Sequence, residues 1–140
     1  MFGNSEESPF FYGDEELLFN KCFDDTIYSI TENNITPFCK INLPNMVTDS
    51  HLKTKPNPRE LVKSSYSFNL SDVYRVDDIM YFSFFNSGKV IFTFYDLGNN
   101  QLIYCGNRIW PEPTKGLPLY YPIRGVYEKQ FFSAVSPSTI

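Results

Sequence analysis

The side chains that could do chemistry in this chain are few and scattered. Its one histidine, His51, stands beside Asp49 and Ser50, the residue types of a relay that activates a serine. Such a triad needs its groups to converge from a scaffold, and neighbours along one polar loop do not converge; we read them as solvated loop residues. Two acidic pairs, Asp24-Asp25 and Asp77-Asp78, could run glycoside hydrolysis or hold a calcium ion if a fold set them at a fixed separation. Both recur near strand starts, where Asp hydrogen-bonds its own backbone, so turn chemistry is the simpler reading. Cys22, Cys39 and Cys105 show no CxxC spacing and lie in or beside apolar runs. With a single His they form neither a disulfide framework nor a zinc site, and we expect buried small hydrophobes. No catalytic residue, metal ligand or cofactor is assigned on this reading. The candidate ligand-binding residues are instead Trp110, Tyr120 and Tyr121, in and after a proline-rich loop, with Arg108 and Arg124 nearby. Aromatic faces among polar loops stack on sugar rings or seat a protein, and the arginines could orient an acidic ligand. The competing reading is that the rings plug gaps between sheets and the arginines pair with Glu112 or Glu128 at the surface.

The elements that must position these residues are strands. From Val73 to Ile109 the chain reads Ile79 to Phe85, the turn Asn86-Ser87-Gly88, Val90 to Tyr95, the turn Gly98-Asn99-Asn100, then Gln101 to Cys105. The runs are β-branched and aromatic, and Gly and Asn fall where φ > 0 is needed, so this is a β-meander. On its first two strands both alternating sets are apolar: Met80, Phe82 and Phe84 against Ile79, Tyr81 and Phe85, then Val90, Phe92 and Phe94 against Ile91 and Tyr95. A sheet with one wet face alternates apolar with polar, so something must cover this one on both sides. The chain has 140 residues, 18% of them aromatic, with 14 Phe and 10 Tyr. That length builds one domain with a core, and the composition points to an all-β class. Net charge is −4 with Lys and Arg scattered singly, which argues against nucleic acid as a partner. Met1 to Ser8 carry no basic region and no apolar run, so no export signal is expected in the chain as written, and no later run is long enough to span a bilayer.

The meander recurs. Leu17-Leu18-Phe19 falls on Ile79-Met80-Tyr81, Ile27-Tyr28-Ser29 on Ile91-Phe92-Thr93, and Phe38-Cys39 on Tyr104-Cys105. Gly125 to Val135 repeats the opening of the unit, with Glu128-Lys129 as a charged turn. We therefore expect a single domain of antiparallel four-stranded meanders, with units at about 10–43, 66–109 and 120–140. Pro37 marks an edge strand. The insertion 44–65 holds a short helix over roughly Pro58 to Lys63, announced by Asn57, Pro58 and Glu60. Sheets apolar front and back must stack on their own kind. That favours blades of a β-propeller, present as a partial array, over a two-sheet sandwich.

Asp25-Thr26-Ile27-Tyr28-Ser29-Ile30 followed by Ile35-Thr36-Pro37-Phe38-Cys39-Lys40-Ile41 resembles the blade signature of the six-bladed β-propeller proteins of gut Bacteroidetes. Phe94-Tyr95-Asp96, and Pro122 to Tyr127 with Phe131 to Val135, resemble later blades of that family. The resemblance covers most of the chain from about Phe10. It implies an exported protein of the periplasm or cell envelope and brings no catalytic set. The chain departs from the family in lacking a leader and in holding about two and a half blades, so Met1 is read as an internal or reassigned start. The leading expectation is a non-catalytic binding or scaffold module of a bacterial cell envelope, recognising a protein or glycan through loop residues. The alternatives are a glycan-active hydrolase or lyase using the turn carboxylates, and a truncated remnant without an independent role. End blades with open faces imply self-association, as a dimer approximating a larger ring.

Overall fold

The computed structural model describes residues 10–12, 16–21, 23–47, 49–54, 57–107 and 123–133. The protein is all-β, built from antiparallel sheets. Strands β1 (Phe10–Tyr12), β2 (Leu17–Asn20), β3 (Thr26–Ile30) and β4 (Ile35–Lys40) form one four-stranded sheet in sequential order. Helices α1 (Asp49–Lys53) and α2 (Pro58–Lys63) follow. Strands β5 (Ser67–Val76), β6 (Ile79–Asn86), β7 (Lys89–Asp96) and β8 (Gln101–Gly106) form a second four-stranded sheet, and β9 (Gly125–Tyr127) pairs with β10 (Gln130–Phe132) in a hairpin.

Local chemistry sets these elements. The β6–β7 turn places Ser87 at φ 49° and Gly88 at φ 77°, and the β9–β10 turn places Glu128 at 47° and Lys129 at 56°. Two consecutive positive φ values match the twist that strands need at a two-residue hairpin. Pro37 lies on edge strand β4, where the pairing with β3 slips between Ile27 and Tyr28. Edges and bulges are the places a sheet accepts proline. Helix α2 opens on Asn57, whose side chain accepts from the Arg59 N–H at 3.0 Å, with Pro58 in the first turn.

The second sheet is covered on both faces. Toward the first sheet, Leu70, Val73, Met80, Phe82 and Phe84 are buried against Phe11, Leu18, Ile27 and Ile41. On the other face Tyr81 and Phe92 are buried with Ile123, and Phe94 and Phe131 pack alongside. Three further contacts tie the hairpin down: the Tyr81 hydroxyl accepts from the Ile123 N–H at 3.2 Å, the Tyr74 hydroxyl donates to the Arg124 carbonyl at 2.9 Å, and the Phe131 ring meets Phe94 edge-on at 5.6 Å.

The units also point the same way. The opening strand β5 packs against β1 and β2 on one side and β9 and β10 on the other, and β1 itself reaches β9. Glu16, just before β2, lies 3.6 Å from Arg75 near the end of β5. Asp77, in the β5–β6 turn, lies 3.5 Å from Lys129 in the β9–β10 turn. These ion pairs put the first turns of all three units at one end of the stack. In a four-stranded meander the connection between second and third strands, and the exit from the fourth, then fall at the opposite end. That end is capped by the insertion, where Val47 and Leu61 are buried with Phe68 against Phe23, Leu52, Tyr66 and Phe85. Ser67, fully buried, pins the cap by donating to the Pro44 carbonyl at 2.6 Å and accepting from Asn86 at 3.0 Å.

Burial on both sides has a measurable consequence. Phe82→Ala is expected to cost about 3–5 kcal/mol, and Tyr81→Phe, which strands the Ile123 N–H, about 1–3 kcal/mol. Leu102→Ala, at a side chain 54% exposed, should cost under about 0.5 kcal/mol. Urea denaturation of the three variants checks the ranking, and equal losses would contradict the assigned faces.

Candidate functional site

Of the residues singled out for ligand binding, Arg124 is described and exposed, and it enters β9 with its N–H donating to the Phe132 carbonyl at 2.8 Å. Arg108, Trp110, Tyr120 and Tyr121 lie outside the described residues. They belong to the connection between β8 and β9.

The turn carboxylates do not converge. Asp24 accepts from the Thr26 N–H at 3.0 Å and from the Tyr28 hydroxyl at 3.3 Å. Its carbonyl and that of Thr26 receive the amide of the buried Asn20 at 3.1 and 2.9 Å. Asp25 accepts from the Thr26 hydroxyl at 3.1 Å and pairs with Lys40 at 3.1 Å. Asp77 pairs with Lys129, and its carbonyl accepts from the Arg75 Nε–H at 2.7 Å. The Asp78 carbonyl accepts from the Leu97 N–H at 2.8 Å. By the direction of the strands, Asp24-Asp25 sits at the capped end and Asp77-Asp78 at the other. The Asp77 carboxylate reaches across to the hairpin, and the Asp24 carboxylate builds its own turn. Asp96 does the same for the β7–β8 turn: its carboxylate receives the Asn99 backbone N–H and then the Asn99 amide, which hold its pKa below the ordinary value.

The structure gathers a polar group that sequence reasoning missed, on β5 and β6 beneath the hairpin. The Ser83 hydroxyl, 1% exposed, donates to Asp72 at 3.0 Å and lies 3.1 Å from the Ser71 hydroxyl. Tyr81 and Tyr74 adjoin it, and burial, reinforced by the Asp72 charge, pushes both phenols up. Asp72 and Asn69 adopt positive φ, at 50° and 58°, where the β5–β6 pairing slips twice. The available signal was an Asn and an Asp three residues apart in a run that breaks alternation. Ser83 and Ser71 are satisfied around the Asp72 carboxylate, and the neighbouring Tyr74 and Tyr81 hydroxyls bind the Arg124 carbonyl and the Ile123 N–H, which is chemistry for docking the hairpin.

Two expectations require correction. Cys105 is exposed, with only the Thr93 hydroxyl at 3.7 Å, because it lies on the outermost strand, where cover from the first sheet runs out. Cys39 is half-buried, 3.8 Å from the Met80 sulfur, and burial pushes its thiol up to about 11; Cys22 lies outside the described residues. His51 is in helix α1 rather than on a loop, with its ring 5.2 Å from Tyr66 and edge-on to it. Packing beneath the insertion is what makes the short helix worth forming. Among the described residues, no group of three His, Cys, Asp or Glu side chains could hold a metal ion, and no helix is long and apolar enough to cross a membrane.

No family model and no curated protein matches the chain. Its fold is similar to that of a solved structure from Bacteroides fragilis NCTC 9343, described as an exported protein, with a TM-score of 0.55 at 15% identity. The match covers 69% of this chain and 29% of that one. The likeness is one of fold, and this chain spans under a third of its neighbour's length.

The raised thiol and phenols make stability depend on alkaline pH with a defined sign. Cys39 moves from 9.0 to about 11, so above pH 9 the unfolded chain releases a proton that the native state keeps. Stability is intact below pH 9 and falls as pH rises toward 11, with Tyr74 and Tyr81 extending the loss upward. Cys39→Ala should make the decline shallower, which denaturation midpoints across that range would measure. In alkylation at pH 8 followed by mass spectrometry, Cys105 is expected to label well before Cys39.

Proposed function

We propose that this chain is an arc of a β-propeller-type array and serves as a non-catalytic binding or scaffold module of a bacterial cell envelope. It takes a protein or glycan through loop residues Arg108, Trp110, Tyr120, Tyr121 and Arg124. One observation carries the reading: the β5–β8 sheet is buried on both faces between units of like orientation whose opening strands pack together. A sandwich leaves each sheet one wet face, whereas blades around an axis cover one another. The exported neighbour from Bacteroides fragilis supports the location. Engagement of Asp24, Asp25 and Asp77 in separate turns favours binding over the glycan-hydrolase or lyase alternative. Self-association through open sheet faces belongs to the same reading.

Calorimetric titration against a panel of bacterial envelope polysaccharides and envelope proteins tests it. Binding without shortening of the polysaccharide is expected, and Trp110→Ala or Tyr120→Ala should weaken it about 30-fold, the effect of losing an aromatic anchor worth about 2 kcal/mol. Depolymerisation abolished by Asp24→Asn or Asp77→Asn would replace this reading with the enzyme. No binding to any member of the panel would overturn it.

A further inference from the structure

The outer face of the β1–β4 sheet sets aromatic rings and hydrogen-bonding groups side by side. By register Phe10, Phe19 and Tyr28 lie in one row across adjacent strands, and Tyr12, Leu17, Ile30 and Ile35 lie in the next. The Phe19 ring is 5.3 Å from Phe10 and 6.2 Å from Tyr28, and Tyr12 is 69% exposed. The row of rings ends in polar chemistry. The Tyr28 hydroxyl donates to one oxygen of the Asp24 carboxylate at 3.3 Å, and the other oxygen accepts from the Thr26 N–H at 3.0 Å. Beside it Asp25 pairs with Lys40 at 3.1 Å. Exposed Lys21 shares the turn, its carbonyl accepting from the Asp24 N–H at 2.9 Å. At the opposite margin stands Glu32, exposed in the β3–β4 turn.

We propose that this face binds a neutral glycan, with adjacent pyranose rings stacked on Phe19 and Tyr28 and their hydroxyls directed to Asp24. This adds a second surface to the proposed function, on a different element from its loop residues. A sugar ring presents C–H bonds on its face and hydroxyls around its edge, the two chemistries that meet here. An apolar protein surface laid on the same rings would press against the Asp24 carboxylate and the Tyr28 hydroxyl without satisfying them, which costs free energy. Asp24 is also held from two sides before any ligand arrives, so little ordering remains to oppose binding. Rings that recur once per strand meet sugar rings that recur once per unit of an extended chain. Charge selects a neutral chain. At the polar margin Lys21 and Lys40 balance Asp24 and Asp25, and the far margin holds Glu32, so a polyanion finds no net positive field. Area sets the size. Four strands about 4.8 Å apart and two rows about 7 Å apart give a patch of roughly 14 by 7 Å between backbone positions. That is a fraction of the roughly 800 Å² per partner of a standard protein interface, and it suits a short stretch of oligosaccharide. A flat face covers one side of its ligand only, so the Kd is on the order of 1 mM.

Chemical-shift titration of the isotope-labelled whole chain tests this, with cellohexaose, mannohexaose, xylohexaose and laminarihexaose as neutral probes and hexagalacturonate as their charged counterpart. At least one neutral hexaose should shift the amides of Asp24, Thr26 and Tyr28 saturably at about 1 mM, and hexagalacturonate should leave them in place. Tyr28→Phe, which removes one hydroxyl, and Tyr12→Ala, at an exposed side chain beside the rings, should keep their circular dichroism and each weaken binding about fivefold to tenfold. Leu102→Ala, on β8, should bind as the unaltered chain does. Saturable shifts from none of the neutral probes overturn the inference, and so do equal shifts from hexagalacturonate. Binding that survives both tyrosine variants but is lost in Trp110→Ala overturns it too, by placing the glycan at the loops. So does movement of the same amides with protein concentration alone, which would give the face to a second copy. The loop reading is tested through Trp110→Ala and Tyr120→Ala, so the two proposals fail separately.

Discussion

Burial of the β5–β8 sheet from both sides is the constraint on which the rest depends. Met80, Phe82 and Phe84 point one way along β6 and Tyr81 and Ser83 the other, and all are under 10% exposed. Such a strand has no face to give to water, so this sheet is stable only with both neighbours in place. The dependence is mutual. A two-stranded hairpin such as β9–β10 is marginal alone, and it is held by Tyr81, Tyr74 and Phe94. Folding of the three units is therefore coupled through one strand.

Coupling units in like orientation divides the stack into two unlike ends. At one end the opening turns are short and joined by charge, Glu16 to Arg75 and Asp77 to Lys129. The Arg75 guanidinium also lies over the Phe38 ring, 5.2 Å from its centre, and so bridges the two sheets. At the other end the chain leaves β4 and β8 for its two long connections. One of these folds into α1 and α2 over Phe23, Phe68 and Phe85. Long connections mounted on a rigid sheet stack are where recognition residues accumulate. The tied turns serve as framework, with the carboxylates of Glu16 and Asp77 engaged between units.

The sequence made the strands legible where apolar side chains run on both alternating sets, as in Ile79 to Phe85 and Val90 to Tyr95, because side-chain period and turn residues are local properties. It also marked β4 as an edge through Pro37 and the start of α2 through Asn57 and Pro58. Less legible was β5 upstream of Val73. Ser67 to Asp72 reads as polar, yet it is strand, because bulges at Asn69 and Asp72 let Ser71 and Asp72 meet Ser83. Bulges change which residues share a face, and period alone does not register them. Cys105 illustrates the other gap: its apolar neighbours suggest burial, but position in the sheet decides exposure. The ion pairs that align the units, Glu16 with Arg75 and Asp77 with Lys129, span tens of residues and leave no local trace in the chain.

Two kinds of exposed apolar residue occur here, and geometry separates them. Along the second sheet, burial thins from β6 through β7 to β8, ending with Leu102 and Ile103 each 54% exposed. Strand β8 is the edge of its sheet farthest from β5, the strand packed on both sides, so exposure there follows from position in the sheet. Tyr12 cannot be explained in that way. It lies on β1, the opening strand of its sheet, on the line where units approach most closely, and it is more exposed than either residue of β8. Phe11, its neighbour on the same strand, is 6% exposed because it faces the second sheet. Phe11 and Tyr12 thus face opposite sides of one strand, and the contrast in their exposure separates the side of the first sheet that meets the second from the side that does not.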